Sequence, residues 1–473
     1  MSFFNKGSTG VVVIVTSENG GGNFTFRQGV DDPAVAIENA WSYLNDFGGG
    51  TLVTKGAGET WQVSTRIDSQ GDDVTWISDW GLKIQAPTDL ANHLLQIKDH
   101  DRVTLDGLYL DHNHPEEEHQ SHCVYLESVE NLRITKCRIT QGSRYGIDSY
   151  QTLRAVEIDH CWVHDNRWNN ITLGTWVVPD LHSDINVHHN LIEETSDVGL
   201  SILTEDDAYI TINNNIIRDV NHTEGYNDAG WGLAIEGATS YVKFCDNIIY
   251  NCDGPAVVTK PGYDRAYLMV TNNLIYNCGN NKLDEFHGGM FLSRGTSFLV
   301  DGNTIVDSGY SNGQGIRLDV SGSNESNDID IKNNKIIVTS GKTISNHFYG
   351  IYVEGGDEHV INNNTINIEP SGGSQRGILL KDTSNNRIGE NMLKSIEDYG
   401  IYLLGDSDNN CIIGNYFVNV GTGLILSVNT VDDTFVHSND FYGCTIDVSN
   451  SGTGTCWGSN RDQNGNFDQG VEP

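Results

Sequence analysis

An asparagine returns at one position of a repeating unit, roughly V-x-I-x-x-N-x-I, and this recurrence limits the chain to a stacked architecture. It falls at Asn190, Asn215, Asn247, Asn273, Asn303, Asn334, Asn364, Asn391, Asn415 and Asn439, with Cys137, Cys161 and Leu108 in the same slot upstream. Successive asparagines lie 24 to 32 residues apart. That period belongs to solenoids, in which each coil buries its core against its neighbours. An inward amide repeated in every coil can bond to the amides above and below, which satisfies buried polar groups along the stack.

A second short strand in each repeat starts on a small residue, as in Tyr145-Gly146-Ile147, Val198-Gly199-Leu200, Trp231-Gly232-Leu233, Tyr349-Gly350-Ile351 and Tyr399-Gly400-Ile401. Both strand types alternate apolar and polar residues, and sustained helical periodicity is absent. Only 37 % of the residues are hydrophobic and 52 are glycine, as expected when each coil spends residues on turns. The pattern predicts an all-β chain: a single-stranded right-handed parallel β-helix of about a dozen coils. A β-propeller needs about four strands per 40 to 50 residues, and these coils are too short for that. One helix is expected where a solenoid end must be covered. Asp32 is its N-cap, Pro33 its first residue, Ala34, Ile37, Trp41 and Leu44 its apolar stripe, and Gly48-Gly49-Gly50 its stop. The expected layout is a cap and first coils over residues 1–100, the β-helix over 101–445, and a C-terminal cap with a polar tail over 446–473.

The stretch Asp31-Asp32-Pro33 to Gly48-Gly49-Gly50-Thr51-Leu52-Val53 resembles the N-terminal signature of the pectate-lyase-like superfamily. The resemblance implies the fold but not one reaction, since lyases, hydrolases, epimerases and phage tailspikes share it.

Sixty-four acidic residues against 28 basic ones give a net charge of −36. Such a field opposes nucleic acid and anionic membranes, and no stretch is long and apolar enough to span a membrane. Residues 1–23 lack a basic segment followed by an apolar one, so export relies on a removed signal or another route, or the chain belongs to a virion. The expected location is extracellular or at the cell surface. The nine cysteines form no spacing framework. Cys137 with Cys161, and Cys252 with Cys278, read as stacked core thiols.

Chemistry is expected where the coils depart from economy. Inserts at Asp111–His122, Thr175–His182 and Asn221–Ala229 carry or adjoin Trp168, Trp176, Tyr226 and Trp231. Aromatic faces of this kind stack on sugar rings and suit an extended glycan, although packing of the inserts accounts for any one of them. Arg144-Tyr145-Gly146-Ile147-Asp148, Gln151-Thr152 and His164-Asp165-Asn166 are similar to the catalytic coils of alginate (mannuronan) C5-epimerases. That resemblance implies a catalytic role for Tyr145 and Asp148. Ser149-Tyr150 stands where the family has Pro-His-Glu, so the family's histidine has no counterpart by position.

Independently of the family, removal of a uronate C5 proton needs a base, a proton donor and a neutraliser of carboxylate charge. Strand alternation points Asp148 and Tyr150 outward together. The equivalent face farther along offers Thr172, Ser201 and Glu236, then Lys260, Arg294 and Arg317. His160, His164 and Arg167 come from the neighbouring strand and turn. The candidate catalytic set is therefore Tyr145, Asp148, Tyr150, His160, His164 and Arg167. Trp168, Trp176, Trp231, Glu236, Lys260, Arg294 and Arg317 are candidate substrate-binding residues. Two other classes stay open. A glycoside hydrolase needs two carboxyls, and Asp148 with Glu205, Asp206 or Glu236 could span the roughly 6.5–9.5 Å of an inverting pair. A non-catalytic tailspike or adhesin needs only the groove. The sequence singles out no cofactor, and Ca²⁺ stays open as a neutraliser. His112, His114, Glu116 to Glu118, His119 and His122 cluster without zinc spacing, and Asp462, Asn464, Asn466 and Asp468 lack the EF-hand glycine. The expected partner is a polysaccharide, and the assembly a monomer or homotrimer.

Overall fold

The computed structural model describes residues 10–17, 22–27, 29–88, 90–113, 121–174, 183–204, 207–222, 230–263, 265–280, 288–311, 313–319, 328–370, 372–426, 431–450, 455–462 and 467–469. The chain divides into two compact units, Met1–Thr223 and Glu224–Pro473. Each is a right-handed parallel β-helix.

A coil of the first unit shows the rule. Strands Glu157–Asp159, Trp162–His164 and Ile171–Gly174 follow one another around three faces. Each pairs in parallel with its equivalents one coil away: Glu157 with Arg133 and Asn186, Trp162 with Arg138 and Leu191, Ile171 with Ile147 and Leu200. The repeating unit thus spans two strands, with its asparagine slot at the bend between them. The glycine-started segment is the third strand. The residue before the slot turns the corner in the left-handed region: φ is 53° at His160, 57° at His189 and 54° at Asn214. In the second unit Asp246, Asn272, Asn333 and Asn363 do the same, at 55–57°. Short polar side chains adopt this conformation at least cost, hence the run of Asn and Asp at these corners.

The expected ladder exists in both units. In the first, the backbone N–H and Nδ2 of Asn190 both donate to Asn215 Oδ1 at 3.0 Å, and Cys161 N–H donates to Asn190 Oδ1 at 2.8 Å. In the second, the same double donation runs from Asn247 through Asn273, Asn303, Asn334, Asn364, Asn391 and Asn415 to Asn439. It ends on Asn460, a rung that the fading C-terminal pattern conceals. Each interior Nδ2 also reaches a backbone carbonyl, for example Asn364 to Ile331 at 2.8 Å. All nine cysteines are free thiols, and Cys137, Cys161, Cys252 and Cys278 are buried.

The N-terminal helix spans Pro33–Asp46. Asp32 Oδ1 accepts from Ala34 N–H at 2.9 Å, while Oδ2 takes the hydroxyls of Ser64 and Thr65. Ala34, Ile37, Trp41 and Leu44 are fully buried. Gly49 closes the turn at φ 106°, where an added Cβ would lie 2.5 Å from Asp73. Two strands were not expected: Val12–Ser17 and Phe24–Phe26 precede the helix, and the first pairs in parallel with both the second and Gly50–Lys55. At the other end of the chain, Phe467–Gln469 runs antiparallel to Ser459–Arg461 and breaks the coil pattern. No described helix is long and apolar enough to cross a membrane.

Candidate active site

The third strands of the first unit place Leu95, Val124 and Ile147 inward, in register. Alternation then sends Gln96, Tyr125 and Asp148 outward in one column, and Lys98, Glu127 and Tyr150 in the next. The expected outward placement of Asp148 and Tyr150 follows from this register. At the start of the same strands, His122 and Tyr145 are register partners and their rings stack at 5.0 Å and 8°. His93 continues the stack from the other side, 4.7 Å from His122 at 12°, and also lies 4.2 Å from the Tyr125 ring. Three coils thus contribute a column of parallel rings.

Asp148 Oδ2 lies 3.2 Å from His122 Nε2, with its side chain 14 % exposed. Burial pushes the Asp148 carboxyl up to about 8, against the lowering influence of Arg144 and of a hydrogen bond to the Ser149 backbone. Burial, with His93 and Arg144 adding to it, holds His122 well below the usual imidazole range. His93 is pushed down to about 4, chiefly by burial. Burial thus favours the neutral form of both groups. Burial also raises the Tyr125 phenol, helped by Glu127 and Asp148.

The Arg144 guanidinium lies 4.9 Å from the Tyr145 ring and 4.3 Å from Trp168, and those two rings meet edge to face at 6.0 Å. Trp168 is held by its backbone N–H on Arg144 O at 2.8 Å. Among the described residues, three buried polar atoms of this corner lack a hydrogen-bond partner: His122 Nδ1, Arg144 Nε and Asn169 Oδ1. Such atoms are rare in native interiors and concentrate where a ligand or water completes them. The corner offers a neutral acid, a guanidinium, an imidazole N–H, a phenol and an indole face within one patch.

The other candidate residues divide clearly. Arg167 precedes Trp168 in the same turn. His164 is buried, and both ring nitrogens are engaged. Arg138 Nε donates to Nε2 at 3.0 Å, so Nδ1 carries the proton and donates to Asp165 at 2.7 Å. Burial lowers its pKa. His160 is the left-handed corner residue, with Nδ1 on Asp159 at 3.0 Å and its ring stacked on His189. Its strand belongs to a different sheet from that of Asp148, so it joins a Glu157–Asp159–His188 group and not this corner. Thr172 and Ser201 follow Asp148 in register but are fully buried.

In the second unit, Trp231 is fully buried, so its indole offers no face for a sugar. Glu236 pairs with Lys260 at 3.2 Å, and Arg317 pairs with Asp319 at 2.7 Å. Arg294 is a half-buried corner residue at φ 41°. Trp176, Tyr226, Glu205, Asp206, His114, Glu116 to His119, Asn464 and Asn466 lie outside the described residues. Neither His93 nor Tyr125 was apparent from the repeat pattern. His122 stood out only as part of an insert rich in histidine.

Residues 93–323 match the family model of the right handed beta helix region, and residues 278–470 match that of the periplasmic copper-binding protein NosD. No curated protein sequence is significantly similar. Among solved structures, the chain is similar to the A-module of a mannuronan C-5 epimerase of Azotobacter vinelandii. The two are 16 % identical, with a TM-score of 0.44, over 90 % of this chain and 96 % of that one. It is also similar to the Dettilon tailspike protein, at 14 % identity and TM-score 0.49, over 86 % and 68 %. A third is the surface adhesin PfbA of Streptococcus pneumoniae, at 13 % identity and TM-score 0.43, over 82 % and 90 %.

Proposed function

We propose that the first unit acts on a uronate-containing polysaccharide by removing the C5 proton of a bound sugar. The reading rests on one observation: the stacked His122–Tyr145 pair beside a buried Asp148 and an Arg144 whose Nε has no hydrogen-bond partner. Losing the C5 proton moves charge onto the uronate carboxylate. A neutral Asp148 can donate to that group, and Arg144 can meet it with a guanidinium, so neither repels the charge that builds up. The Trp168 and Tyr145 rings supply apolar faces for the sugar. The His122 imidazole, held neutral by its burial, accepts the C5 proton, and the Tyr145 phenol supplies one. Delivery to C5 from the opposite face inverts the centre. Delivery to the departing O4 as the C4–O bond breaks gives the unsaturated product of β-elimination.

A substrate of this kind puts the protein outside the cell or on its surface. The hydrolase alternative is weaker here. Glu127, the acid of the next outward column, is engaged by Lys98 at 2.8 Å. Incubation with alginate, pectate and related uronates decides between the readings. Absorbance of the conjugated unsaturated product indicates elimination, and proton NMR at C5 indicates epimerisation. New reducing ends without that absorbance would establish hydrolysis, and binding without product an adhesin.

A further inference from the structure

We infer that the second unit carries a separate, non-catalytic binding site for an acidic sugar, centred on Arg376. Strands Gly313–Asp319, His347–Glu354, Ser374–Lys381 and Met392–Leu404 stack in register. Two outward columns result: Gln314, Tyr349, Arg376 and Tyr399 in one, and Arg317, Tyr352, Leu379 and Tyr402 in the other. The Arg376 guanidinium lies 5.1 Å from the Tyr349 ring, 5.7 Å from Tyr399 and 5.6 Å from Tyr402, and donates to the Tyr349 hydroxyl at 2.8 Å.

The charges single this residue out. Arg317 pairs with Asp319 at 2.7 Å, and Lys381 pairs with Glu354 at 2.6 Å. Glu354 also takes the Tyr352 hydroxyl, while Asp398 takes Ser374 Oγ and Gln375 N–H. Among the described residues Arg376 makes no ion pair, in a chain with 64 acidic residues to choose from. Its Nε is buried without a hydrogen-bond partner, as is that of Arg317. A guanidinium set among three tyrosine rings, with a buried donor left over, is a receptor for a planar anion. In each column the flanking rings lie two coils apart, twice the strand spacing of about 4.8 Å, and suit the apolar faces of a sugar chain. Carboxylates spaced one per sugar fit better than a dense polyanion, which a net charge of −36 repels. The site does not depend on the chemistry proposed for the first unit.

The test uses the full chain in a Tyr145→Phe background, so that turnover does not consume the probe. Tetramannuronate, tetragalacturonate and their carboxyl-reduced counterparts are titrated by calorimetry. Arg376→Ala should weaken binding of at least one acidic tetramer about 10- to 100-fold, with Arg376→Lys in between. Tyr399→Ala should weaken it several-fold, and the reduced probes should bind weakly and without regard to Arg376. Unchanged affinity in a folded Arg376→Ala protein, or no binding of either acidic tetramer to its parent, would overturn the proposal. Loss of turnover from first-unit variants with this binding intact would bear on the first unit alone.

Discussion

The inward amide column of the second unit and the outward corner at His122 in the first are built on coils of the same kind, yet they treat polar atoms in opposite ways. In the column, every interior asparagine of the second unit uses its oxygen twice and its Nδ2 for the next rung. At the corner, His122 Nδ1, Arg144 Nε and Asn169 Oδ1 are buried and incomplete. Full satisfaction stabilises the stack, whereas incompleteness costs stability and leaves donors and an acceptor for something else. The contrast separates a surface whose polar atoms are completed within the coil from one that leaves them for a ligand or water to complete.

The sharpest way to break the contrast is at Tyr145 and His122. Tyr145→Phe or His122→Gln should lower turnover of the uronate substrate about 10²–10⁴-fold, as expected for loss of a proton-transfer group. The denaturation midpoint should stay level, and a His122→Phe protein should be as stable as its parent or more so. A variant that unfolds early would show that the corner is structural. The converse change is Asn364→Ala, which removes the acceptor of the Asn334 N–H and Nδ2 and one of the two donors to the Asn391 oxygen. It should cost about 3 kcal/mol of unfolding free energy in urea, with turnover per folded molecule unchanged.

Acidity sharpens the comparison further. The Asp148 carboxyl, raised to about 8 chiefly by burial, is protonated at neutral pH, so activity that needs its proton falls as pH passes about 8. Asp148→Asn should keep a neutral donor and remove that alkaline limb from the pH–rate profile. For stability the sign is the same: the folded pKa exceeds the unfolded one, near 3.8. The contribution is therefore complete below the unfolded value and is lost as pH rises through about 8. The smallest expected effect lies where the first unit's column is interrupted. Cys161→Asn should add a rung beneath Asn190 and raise stability by about 1 kcal/mol, read as a shift in thermal midpoint. A loss would show that the Cys137–Cys161 segment is packed for sulfur.

Much of this was legible in the chain. A feature repeated at one slot needs no knowledge of neighbouring coils, so the ladder follows from spacing alone; that the repeating unit is itself two strands, which makes the coil three-stranded, did not. Asp148 and Tyr150 were legible too, because strand alternation is local. The corner around them was not. His93, His122 and Tyr145 meet through register between coils 23 to 29 residues apart. The insert before His122 hides that register from counting. His160 misled because a corner residue next to an aspartate looks like a catalytic pair. Trp231 misled because an aromatic beside an insert can turn into the core as readily as over the groove.

The left-handed corner and its amide recur without regard to what the rest of the coil contains. Cutting out residues 335–364, one whole asparagine-to-asparagine period, would bring Asn334 directly over Asn391 and re-form the same two donations. The column is modular: lengths can be spliced in or out by whole turns, so such a molecule can grow or shrink through duplication and deletion without inventing new contacts.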